Sequence, residues 1–205
     1  MNRKEIKERA LSILENNFFR IWIPFFLLIL IFCFVDLLFA FFSFSSDLYE
    51  TILYLIVINL FVSPFNVGLC YLLLKIIKNE KYNYKSLFKF YPKFINIFLI
   101  NLVIQLFFSL GLIVFVVPAF MVLICYSFVG FVVAEGEYSV VDSLREAREL
   151  IYGYKFDYFK FLFSFFGWFL IVILTFGTAV IFVLPYFVLS NTIYYNNLKN
   201  KKLNI

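Results

Sequence analysis

Asp36 is the one ionisable side chain well inside a long apolar run of this 205-residue chain. A carboxyl in that setting is what proton or cation handling would need, because holding it in hydrocarbon is costly without a purpose or a partner. It stands about fifteen residues into its run, at ~1.5 Å rise per residue, so a structural place near the far interface is the competing reading. Two polar stripes accompany it. Asn59, Ser63 and Asn66 share one helical face, and Asn101, Gln105 and Ser109 share another, since residues three and four apart stack along a helix. Such stripes either hydrogen-bond to each other between helices or, together with Asp36, line a polar path through three spans.

The third group lies outside the apolar runs. Ser139-Val-Val-Asp142 resembles a capping box, although Glu or Gln is usual at its last position, and Gly153 suits a left-handed helix stop. Between them Val140, Val141, Leu144, Ala147, Leu150 and Ile151 predict an apolar face, with Arg145, Glu146, Arg148 and Glu149 opposite. An in-plane helix packed on the ends of the spans satisfies this pattern. A contact surface for a membrane-protein partner satisfies it as well.

Other chemistries lack their residues. The chain has no His, which removes a Ser-His-Asp triad and a His-bound zinc site, and it has no Gly-rich phosphate loop or intramembrane carboxylate pair. Cys33, Cys70 and Cys125 lie separately in apolar runs and read as buried apolar-face thiols. The expectation is a protein that is not an enzyme and uses no cofactor or metal.

The elements that carry these groups follow from composition. With 64% hydrophobic and 15% charged residues and a mean hydropathy of +0.95, the chain has more apolar surface than a soluble core of this size can hide. Lipid must cover the rest. The net charge of +5 belongs to residues that alternate with apolar runs, so anionic lipid headgroups explain it better than nucleic acid does. The 32 Phe and 14 Tyr are residues that AT-rich codons favour, and they are not read as a binding box.

All eighteen Lys and Arg fall in four stretches. Basic side chains are retained on the cytoplasmic side during insertion, so the order of these stretches predicts the threading. Residues 1–20 read as a cytoplasmic amphipathic helix, with the long run after it a span and not a cleaved signal segment. Spans are expected at about 21–42, 51–76, 94–115, 116–134, 157–176 and 177–196, with turns near Gly111–Pro118 and Gly177, and a cytoplasmic amphipathic helix at 138–153. The loop carrying Asp47 and Glu50 then faces outward, and the lysines from Lys75 to Lys93 sit with Tyr82, Tyr84, Phe90 and Tyr91 at headgroup depth. The fold class is therefore all-α: one polytopic membrane domain with six transmembrane helices and both termini cytoplasmic, as in the inner membrane of a bacterium. Gly111 and Gly177 each precede a Phe-Val-X-Pro string, which suggests a weak parallel repeat.

A family resemblance rests on a set of residues in order: Gly68 and Tyr71, Val117-Pro118 with Tyr126-Ser127, the segment from Ser139 to Lys155, Ser164-Phe165-Phe166-Gly167-Trp168, Leu174-Thr175-Phe176-Gly177 and Leu184-Pro185-Tyr186. The pattern resembles the bacterial integral membrane family catalogued as domain of unknown function 975, from about Gly68 onward. Asp142, Ser143 and Ala147 stand where that family tends to have Glu, Ala and Ser, and Tyr154 replaces a frequent His. The resemblance implies a six-helix membrane fold and carries no activity with it. Two functions stay open at this point: an accessory or scaffold component acting through a membrane partner, and a small transporter or channel-like carrier with a polar path.

Overall fold

The computed structural model describes residues 2–41, 48–136 and 139–203, and these form helices and turns with no strand among them. The first helix, α1, runs from Arg3 to Phe41 with one non-helical residue, Asn17 (φ −133°, ψ 26°). The surface helix and the first span predicted at 1–20 and 21–42 are thus two helical segments that meet at a kink, at Asn17 where the sequence placed the boundary near Arg20. Before the kink, Ile6, Ala10 and Leu14 recur at helical spacing and all three are buried in the protein core. The basic N-terminal segment therefore packs on the protein itself, where the sequence suggested the membrane surface.

Helix α2 (Leu48–Ile77) carries Pro64 and is followed by two short 3₁₀ turns, Tyr84–Phe88 and Tyr91–Lys93. Gly68 fixes how the first turn returns against α2. A Cβ on Gly68 would lie 2.1 Å from the Leu87 carbonyl oxygen, so only glycine permits this approach. Helix α3 (Phe94–Val114) and helix α4 (Val116–Tyr126) reverse about the single extended residue Phe115, within the turn predicted from sequence. Gly111 allows that hairpin to close, since its Cβ would fall 2.8 Å from the Ala119 nitrogen.

The segments predicted as continuous spans at 116–134 and 157–176 are both interrupted. Helix α4 stops at Tyr126 and α5 (Val129–Glu135) resumes it; later α7 (Lys155–Phe163) stops and α8 (Phe166–Leu174) resumes. Both breaks occur at a Ser-Phe pair. Ser127 and Ser164 each turn the hydroxyl back onto the carbonyl three residues earlier, at 2.9 and 2.6 Å, and Phe128 and Phe165 are then buried completely. Between the broken helices lies α6 (Val140–Ile151), and α9 (Val180–Leu203) ends the described chain after a left-handed turn at Phe176 and Gly177.

Among the described residues, five helical stretches are long and apolar enough to cross a membrane: Arg3–Phe41, Ile52–Ile77, Tyr84–Ile113, Val117–Glu135 and Lys155–Leu174. Helix α9 falls outside that group because its second half carries Ser190, Asn191, Thr192, Tyr194 and Tyr195. Its surroundings explain the lower hydropathy: Ser190, Thr192, Tyr194 and Tyr195 are all buried among other helices. A helix covered by protein does not need a lipid-facing surface. Around it Phe128, Phe131, Tyr158 and Phe161 stack on Tyr194 and Tyr195, with ring centroids 4.8–6.0 Å apart in the contacts that join α5, α7 and α9. The aromatic residues not read as a binding box are, at these positions, the packing core. Large apolar side chains instead face outward from the opposite ends and sides of the helices, Phe176 at 99% exposure being the extreme.

Candidate functional site

The structure brings the two polar stripes together. Helix α2 presents Asn59 to α3, where Gln105 donates from Nε2 to Asn59 Oδ1 at 2.9 Å. Asn59 completes its amide locally by donating to the Leu55 carbonyl, Asn101 donates to Ile97, and Ser109 donates to the Gln105 carbonyl. What remains between the helices is a cleft of about 120 Å³ lined mainly by Ile52, Leu55, Ile56, Phe98 and Leu102. Ser63 is buried, whereas Asn66 on the same stripe is exposed. The stripe therefore makes one interhelical hydrogen bond and does not converge as a set.

Asp36 stands apart from it. Its carboxylate accepts a hydrogen bond from the Tyr54 hydroxyl at 2.7 Å, tying α1 to α2 on an exposed part of both helices. Cys33 is also exposed there, and Cys70 and Cys125 are half-buried, so the expectation of three buried thiols is corrected. The apolar run of α1 faces outward along much of its length because its inner neighbours are few beyond Phe25 and Val35. The outward loop predicted at Asp47 lies outside the described residues, as does the side chain of Glu50.

The best-connected polar group was not singled out from sequence. Glu135, the last residue of α5, accepts from Lys78 at 2.9 Å on Oε1, and from Lys199 at 2.7 Å and the Tyr195 hydroxyl at 2.6 Å on Oε2. It joins the end of α2, the end of α5 and the end of α9. Its side chain is only 17% exposed, so both ammonium groups act on it with limited screening. Similar contacts bind the other basic segments to the same end of the bundle: Arg3 donates to the Lys160 carbonyl, Lys7 to that of Ser164, Arg9 to that of Ile77, and Lys202 to that of Glu149. Contacts of this type could not be read from sequence, because each joins residues more than fifty positions apart.

Residues 110–202 match the model of the family described as Protein of unknown function (DUF975). No curated protein and no solved structure matches the chain. The DUF975 match begins later than the sequence resemblance, leaving Gly68 and Tyr71 outside it. It holds both Ser-Phe breaks, the buried face of α9, Glu135 and the whole of α6.

In this matched segment α6 is built as its local sequence requires. Ser139 Oγ accepts from the Asp142 backbone N–H at 3.3 Å and donates to the Asp142 carboxylate at 2.6 Å, and Gly153 takes φ +85° just past the helix end. The buried face is Ser143, Ala147, Leu150 and Ile151. Val141, predicted to be on it, is 72% exposed, and Ser143 is buried instead. Arg145, Glu146, Arg148 and Glu149 are all exposed, with Arg145 and Glu149 paired at 3.3 Å. Val141 and Tyr152, at 74% exposure, lie with Arg145, Arg148 and Glu149 along one groove of about 430 Å³.

Proposed function

We propose that this chain is an integral protein of the cell membrane that crosses it six times, with both termini cytoplasmic, and that it serves without catalysis as an accessory or scaffold subunit. Helix α9 is the sixth crossing in this reading, its polar residues shielded by the other helices. The direct contacts among the four basic stretches support a single basic end on the cytoplasmic side, against anionic lipid headgroups.

The observation that carries the accessory role is the free side of α6. Exposed Val141 and Tyr152 bracket Arg145 and Arg148, while the other side of the helix is fully engaged by the protein. A partner that presents an apolar side chain beside a carboxylate fits this groove. The Asn59–Gln105 bond favours interhelical attachment over a polar path, since it engages the Asn59 oxygen and the Gln105 amide nitrogen with each other. Affinity purification in mild detergent tests the reading. A membrane protein should be recovered with the wild-type chain and lost with Arg145→Glu/Arg148→Glu; recovery of this chain alone in both cases would refute it.

A further inference from the structure

At the basic end of the bundle two cavities of about 510 and 460 Å³ adjoin, sharing Lys89, Ala134 and Glu135 in their walls. Among the described residues, five lysines line them, Lys75, Lys78, Lys89, Lys93 and Lys199, with two carboxylates, Glu80 and Glu135. Glu135 is already neutralised by Lys78 and Lys199. Lys89 has no carboxylate partner among the described residues; its ammonium lies over the ring of Tyr71 at 4.5 Å, and that of Lys75 lies over the same ring at 5.0 Å. Two cations held at one aromatic ring, neither in an ion pair among the described residues, are arranged for an anion.

The larger cavity also has an apolar side. Phe90, Ile97, Ile100 and Val133 line it, and Ile97 and Ile100 belong to α3, one of the five stretches able to cross a membrane. An anion that fits both sides carries a hydrocarbon part. We propose that these joined cavities bind the phosphate of an anionic phospholipid, with Lys89 and Lys75 on the phosphate and the start of its acyl region along Ile97 and Ile100. The proposal rests on the membrane reading above, and it is independent of any partner on α6.

Native mass spectrometry of the detergent-purified full chain, titrated with phosphatidylglycerol, phosphatidylcholine or inorganic phosphate, tests it. Phosphatidylglycerol should bind in preference to phosphatidylcholine. Lys89→Ala should weaken it about fivefold, the effect of roughly one lysine charge next to an anionic lipid, and Lys75→Ala/Lys89→Ala more strongly. Lys89→Arg should retain binding, which separates charge from folding, and Lys85→Ala, outside both cavities, should change nothing. Equal binding of the two lipids, unchanged binding by the double variant, or complete displacement by inorganic phosphate would each overturn the lipid site, the last assigning it to free phosphate. Loss of partner recovery in the α6 variants leaves every one of these titrations unaffected.

Discussion

The bond between Gln105 and Asn59 makes a prediction whose size is bounded by the solvent around it. In lipid, hydrogen bonds between helices contribute about 0.6 kcal/mol on average and up to ~1.7, because separated helices find other partners. A double-mutant cycle of Asn59→Leu and Gln105→Leu, read by unfolding in detergent, should return a coupling within that range; a coupling of zero would mean the contact does not form. Glu135 should matter more. Glu135→Ala leaves two ammonium groups facing each other without the carboxylate that joined α2, α5 and α9, and charged hydrogen bonds of this kind are each worth about 1.5–3 kcal/mol before exposure reduces them. The expected loss is therefore larger than for Asn59→Leu, with thermal unfolding as the measurement. Gly68→Val forces the Leu87 carbonyl away from α2 and should cost on the order of 1–3 kcal/mol, whereas Gly167→Ala, whose Cβ meets nothing within 4 Å, should be neutral or stabilising.

Elements carry a different kind of constraint. Helix α6 stands between two broken helices, and its start depends on Ser139, whose hydroxyl serves both the backbone and the carboxylate of Asp142. Ser139→Ala should cost ~1 kcal/mol, the ordinary value of a lost N-terminal cap, and should increase amide exchange over 140–144 before any other part of α6. Uniform exchange along the helix would show that tertiary contacts hold its start instead. The Ser-Phe breaks after α4 and α7 have a structural use that explains why neither segment stays straight. Ending the helix at Ser127 and Ser164 turns Phe128 and Phe165 inward onto the rings of α7 and α9, so each broken helix contributes one aromatic side chain to the core. A continuous helix at these positions would place that ring elsewhere on its surface.

For the whole molecule the threading is the quantity to test. In a chain with Cys33, Cys70 and Cys125 replaced, Phe176→Cys should react with an impermeant thiol reagent in intact cells. Tyr82→Cys and Lys201→Cys should react only after permeabilisation; labelling of all three from outside would reject the proposed orientation. The all-helical fold, the tight reversal at Gly111–Pro118 and the capped helix after Ser139 were legible because each depends on residues close together in the chain: runs of apolar side chains, a glycine at a near approach, a hydroxyl three positions before an N–H. The meeting of Gln105 with Asn59 was half legible, as periodicity places each on a face but does not say that the faces meet. The sequence by itself determined which segments prefer lipid and which carry cations, since transfer energies and charges belong to residues regardless of neighbours. Only tertiary structure decided that α9 hides its polar half, that Glu135 unites three helix ends and that Lys89 and Lys75 meet at the ring of Tyr71. Those outcomes depend on which helix lies beside which, and packing between distant segments sets that.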